Sequence, residues 1–180
     1  MNKTKITNTI SLHIFDENDY VANQKQIYDD LNKVLNSFDF DANLSFAREY
    51  LDNLNSDIYL NDKKFQIFEL KINKTVVSFA ICSGKKIDMI WTDFEFAKLG
   101  YATILLRLVA IEFFKQNKFE FCVEFDEKNL IAESLFESFG KIENVKILQK
   151  NEKNGKKTYK FDIKNIKIDE ILKKLKEFAI

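Results

Sequence analysis

A chain of 180 residues and 21.2 kDa has room for one domain, and 46% hydrophobic content with 18 phenylalanines supplies enough apolar surface to fill a core, which argues against disorder. Lys plus Arg and Asp plus Glu both total 28, so the chain as a whole exerts no electrostatic pull on nucleic acid or an anionic membrane. Cys82 and Cys122 lie far apart without metal-ligand spacing, and no apolar run is long enough to cross a bilayer, so the expected setting is the reducing cytoplasm.

Ile10, Leu12 and Ile14 alternate with Ser11 and His13, the period of a half-buried strand over residues 9–15. His13 is the only histidine and has no nucleophile at a suggestive spacing, so it reads as a strand-face residue. Ile27, Tyr28, Leu31, Val34, Leu35 and Phe38 form the stripe of a helix over residues 26–38. Asp41 can cap a second helix through Leu44, Ala47, Tyr50, Leu51 and Leu54, which the polar run 55–57 is expected to end. Residues 65–72, 75–82 and 86–92 read as an antiparallel meander with turns at Asn73-Lys74 and Ser83-Gly84.

From Gly100 a strongly apolar helix carries Ile104, Leu105, Leu108, Val109, Ile111, Phe113 and Phe114 and needs cover on most sides. A strand over residues 119–125 follows, so strand, crossover helix and strand make a parallel unit. Ala132, Leu135, Phe136 and Phe139 share the stripe of the next helix, which Gly140 stops. Asn154-Gly155 marks a hairpin between strands 145–150 and 157–163. Ile168, Ile171, Leu172, Leu175, Phe178 and Ala179 give a terminal helix whose stripe must pack on this domain or on a second copy, making a homodimer one expectation. Strands in the middle and helices at both ends predict an α+β fold with a mixed sheet.

The junction between the strand ending at Thr92 and the helix opening at Gly100 carries the strongest chemical signal. The first N–H groups of a helix lack intrahelical partners and its dipole is positive there, so an anion can be held without basic side chains. Gly100 and Ala102 are small enough for a pyrophosphate to approach the main chain, although small residues also serve close packing of a helix on a sheet.

With Ala97, Gly100 and Ala102 in the loop, and Asn129, Ala132, Phe136 and Gly140 downstream, residues 65–163 resemble the GNAT superfamily of acyl-CoA-dependent N-acyltransferases. The loop's usual Gln or Arg is Ala97 here, and the usual tyrosine of the second motif is Phe136. The resemblance implies a GNAT-like mixed, mostly antiparallel sheet with helices on both faces over residues 1–164, plus an extra helix over 165–180. It also implies acetyl-CoA as co-substrate, its pyrophosphate on the amides of Leu99, Gly100, Tyr101, Ala102 and Thr103. Asn129 would hold the pantetheine amide, between strands splayed around Ile90 and Val123, with Phe136 alongside.

The reaction so implied is direct attack on the thioester by the amine of a small molecule or peptide. The candidate proton acceptors are Asp93, which is favoured, Asp88 and Glu124, each of which also reads as a solvated strand-end carboxylate. Phe136 has no proton for the leaving thiolate, which leaves Tyr101 or water. The departures at Ala97 and Phe136 equally suit a non-catalytic GNAT-like module that binds CoA or a protein partner. Acylation of charged tRNA, another role in the superfamily, calls for a basic stripe that the balanced charge does not advertise.

Overall fold

The computed structural model describes residues 9–38, 42–61, 64–141 and 144–178. Its elements in chain order are β1 (Ile10–Asp16), α1 (Glu17–Leu35), α2 (Ala42–Asn61), β2 (Gln66–Ile72), β3 (Thr75–Ser83) and β4 (Lys86–Thr92). After a single 3₁₀ turn (Phe94–Phe96) come α3 (Tyr101–Lys115), β5 (Glu120–Asp126), α4 (Leu130–Phe139), β6 (Lys146–Lys153), β7 (Lys156–Asp162) and α5 (Ile168–Phe178). The strands form one seven-stranded sheet in the order β1-β2-β3-β4-β5-β7-β6. Every neighbouring pair is antiparallel except β4 and β5, which the α3 crossover makes parallel.

Both faces of the sheet are covered, and each cover has its own core. Alternation sends Phe68, Leu70 and Ala80 to the side of α3, α4 and α5, and Ile67, Phe79 and Ile81 to the side of α1 and α2. Strand β3 is consequently buried from Val76 to Cys82, as a central strand covered on both faces must be. The all-round apolar character of α3 has the same origin, since the sheet, α4 and α5 all take part of its surface. Ile171 of α5 is buried, and Ile168 and Leu175 pack beside it on the α3 core. The end of the expected stripe, Ala179, lies outside the described residues, as does Asp41.

Two boundaries differ from the sequence expectation. Helix α1 begins nine residues before Gln26 with a segment set off by a kink at Asn23 (φ −124°) and started by Asp16, which accepts from the Asn18 and Asp19 amides while the Asp19 carboxylate accepts from the Asp16 amide, a complete capping box. Helix α2 runs on to Asn61 through the Asn-Ser-Asp run, whose residues are only mildly unfavourable in a helix, at ~0.7 kcal/mol each or less. Gly140 does follow α4, but with φ of −63° it is not a left-handed cap; a Cβ there would come within 2.5 Å of Ile147 Cδ1, so any larger residue would force the Ile147 side chain of β6 to shift.

Truncating Ile171 to alanine is expected to lower stability by about 2–5 kcal/mol in urea unfolding, the range for a buried aliphatic side chain. A loss under 1 kcal/mol would show that α5 adds nothing to the α3 core.

Candidate active site

The parallel seam at the centre of the sheet is short. β4 and β5 pair only at Lys86↔Cys122 and Ile87↔Val123, while β4 runs on to Thr92 beside β3 and β5 to Asp126 beside β7. Beyond Ile87 and Val123 the two strands diverge. The divergence starts at a β-bulge, because on β3 Ile81 faces Met89 and Cys82 faces Ile87, leaving Asp88 as the extra residue. A bulge bends its strand and increases the local twist, which turns β4 away from β5. The facing edges left behind present unpaired backbone groups, the template on which an extended polar chain can pair.

Two helix N-termini follow the ends of these strands. Gly100 caps α3 with φ of 90°, a conformation that disfavours any Cβ, and makes no side-chain cap bond. The first α-helical bond of α3 runs from the Ile104 amide to the Gly100 carbonyl at 3.0 Å, so the Ala102 and Thr103 amides precede the first intrahelical acceptor. Of the five predicted loop amides, that of Leu99 is directed to the Phe96 carbonyl at 3.4 Å. Tyr101 sets its ring edge-on to Phe96, with centroids 5.8 Å apart.

At the start of α4, Asn129 accepts from the Ala132 amide at 3.0 Å through Oδ1. That bond fixes the side chain through its oxygen; the amide nitrogen is a donor. Helix α4 is held to β7 by Lys157, 2.7 Å from Glu133, and by the Tyr159 hydroxyl, which donates to Glu133 and Glu137. Phe136 is buried, with Phe125 at 5.4 Å and Phe161 at 6.4 Å between ring centroids.

The three carboxylates separate in the structure. Asp88 sits at the bulge on the α1–α2 face, where Oδ2 accepts from the Tyr50 hydroxyl at 3.1 Å and from Ser83 Oγ, while Lys86 Nζ is 3.8 Å from Oδ1. The same lysine nitrogen is 3.8 Å from Glu124 across the seam, so Asp88 and Glu124 share one ammonium. Glu124 also pairs with Lys156 at 3.3 Å. Asp93 stands apart, one of its oxygens accepting from the Glu95 amide at 3.0 Å as the cap of the 3₁₀ turn. Burial raises the pKa of Cys82 and of Cys122, keeping both thiols protonated and unsuited to nucleophilic attack.

The sequence alone did not point to Tyr50, Ser83 or Lys86. Tyr50 read as part of a helical stripe and Ser83 as a turn residue; the one available signal was an aspartate inside the apolar strand around Ile87 and Met89.

A mixed sheet whose one parallel seam opens toward two helix N-termini is the fold of the GNAT superfamily, and this chain has that fold. Among solved structures, it is similar to the ribosomal-protein-S18-alanine N-acetyltransferase of Escherichia coli at a TM-score of 0.55 and 14% identity, over 88% of this chain and 96% of that one. An acetyltransferase of the GNAT family from Staphylococcus aureus Mu50 aligns at 0.56 and 14%, over 86% and 100%. The PaiA N-acetyltransferase of Thermoplasma acidophilum, crystallised in complex with coenzyme A, aligns at 0.56 and 12%, over 84% and 98%. No protein-family profile and no curated protein sequence matches the chain. No helix among the described residues is long and apolar enough to cross a membrane.

Replacing Phe136 with alanine should cost ~3–5 kcal/mol of stability, as for other buried phenylalanines, measured by urea unfolding. A loss below 1 kcal/mol would remove the packing role assigned to this ring.

Proposed function

We propose that the protein transfers an acetyl group from acetyl-CoA to an amine by direct attack. The observation that carries this reading is the opening of the β4–β5 seam beyond Ile87 and Val123, with a helix N-terminus following each strand. Pantetheine contains two amides in an extended chain, so it can satisfy the backbone groups that the divergence leaves unpaired. Its pyrophosphate is assigned to the first turn of α3, around Gly100, Ala102 and Thr103, where helix dipole and main-chain donors favour an anion. Asn129 contributes a donor from the opposite wall.

The thioester then lies near the narrow end of the opening, beside the bulge. An amine that arrives as an ammonium must lose a proton before its lone pair can attack the carbonyl carbon. We assign that proton to Asp88, which lies at the bulge where the seam opens, in preference to Asp93, which lies past the end of β4. Tyr50 and Ser83 both occupy Oδ2, which fixes the carboxylate, and Oδ1, with Lys86 Nζ 3.8 Å away and outside hydrogen-bond distance, is the oxygen that receives the proton. Attack forms the C–N bond, the C–S bond breaks with CoA leaving as the thiolate with the electron pair, and the nitrogen gives up its second proton, which becomes the proton the thiolate takes up. A thiol with a pKa of about 8.5 is a good leaving group even without a strong acid at hand, so Phe136 is compatible with turnover; Tyr101 or water returns the proton to sulfur.

Calorimetry with acetyl-CoA should show binding that Gly100→Glu abolishes by bulk and like charge. Asp88→Asn should retain that binding and lower turnover about 10²–10⁴-fold, the usual contribution of a general base. Absence of binding by the wild-type protein at millimolar acetyl-CoA would overturn the proposal. Binding with no turnover on any amine would favour the second reading, a CoA-binding module without catalysis, which the changes at Ala97 and Phe136 also suit.

A further inference from the structure

We infer that the acceptor is a primary amine carried on an aromatic or bulky apolar body, and that it reaches the thioester from the α1–α2 face. The inference rests on the acyltransferase reading and deepens it by naming the class of acceptor. With the cofactor assigned between the starts of α3 and α4, the other mouth of the seam is the one on which Asp88 lies, because its carboxylate is bonded to Tyr50 of α2.

That mouth is walled by aromatic rings. Phe38, just beyond α1, stands edge-on to Trp91 with centroids 5.2 Å apart and to Phe94 at 5.7 Å. Trp91 belongs to the part of β4 that has left β5, and it packs with Met89 and Tyr50 on the α1–α2 core. Phe94 is 62% exposed, yet its position is fixed, since its amide donates to Ser37 Oγ at 2.8 Å. A large ring held in place and left open to water has unspent burial to offer a ligand.

Charge completes the match. Asp88 and Glu124 flank the Lys86 ammonium at the narrow end of the seam, and Glu124 is paired more closely with Lys156, so Asp88 is the carboxylate there that a second ammonium can meet. An incoming ammonium pairs with Asp88, while its carrier meets Trp91 and Phe94. Three residue steps along the strand lead from Asp88 to Trp91, roughly 10 Å of backbone. After a contact at each end, that span fits an ammonium and a ring joined by a short aliphatic spacer. A polyamine would need carboxylates repeated along its length; beyond Asp88 the wall is formed by Trp91 and Phe94, and the carboxylate of Asp93 next to them caps the 3₁₀ turn.

The test supplies purified protein with acetyl-CoA and one of three amines, phenethylamine, the peptide Phe-Gly-Gly or spermidine, and follows release of free CoA thiol. Phenethylamine or Phe-Gly-Gly should be acetylated with kcat/KM at least tenfold above spermidine, and which of the two leads tells a free amine from a peptide N-terminus. Phe94→Ser, at an exposed position where folding is safe, should raise KM for the preferred amine at least fivefold while calorimetric binding of acetyl-CoA stays unchanged. Binding of acetyl-CoA together with a preference for spermidine, or with an unchanged amine KM in Phe94→Ser, overturns the acceptor class and leaves the acyltransferase reading standing. Failure to bind acetyl-CoA overturns both.

Discussion

The site depends on one extra residue in β4. Had Asp88 been accommodated without a bulge, β4 and β5 could continue pairing past Ile87 and Val123, and the sheet would close where it now opens. Backbone pairing is strongly favoured, so strands that share a seam and then part need a local cause, and the bulge provides it. The aspartate at that position is also the carboxylate fixed by Tyr50 and Ser83 and faced by Lys86. One residue thus both opens the backbone and charges the opening.

Stability of this arrangement comes from the two apolar cores pressing on opposite faces of the sheet. The α3 core holds the helix whose first turn is assigned to the pyrophosphate; the α1–α2 core holds Tyr50 and backs the aromatic wall. Neither helix terminus is positioned by its own propensity alone. Gly100 permits the turn that points α3, and the network of Glu133, Glu137, Lys157 and Tyr159 fastens α4 to β7.

Much of this was legible in the sequence, wherever a local pattern determines the outcome. Asn154-Gly155 gave its hairpin because both residues adopt positive φ, 54° and 75°. Gly100 gave its helix start, and Phe136 its burial, for similarly local reasons. The illegible parts are those that tertiary contact decides. Residues 17–25 are mostly polar, so the stripe of α1 could not be followed back to its cap. The bulge at Asp88 follows from register against β3, and the partnership with Tyr50 spans 38 residues of sequence. The sequence favours Asp93 among the three carboxylates; its cap bond to Glu95 becomes visible only once the turn is formed.

The division of the interior into two cores also bears on how such a chain can change over time. Substitutions in α1 and α2 alter the face proposed to receive the acceptor, and the buried residues of α3 and α4 share no cluster with them. Effects at separated sites combine nearly additively, so one core can drift while the other keeps its shape. Evolvability of this kind is a property of the sheet, a partition thin enough to be shared by both halves and stiff enough to keep the alterations of one from reaching the other.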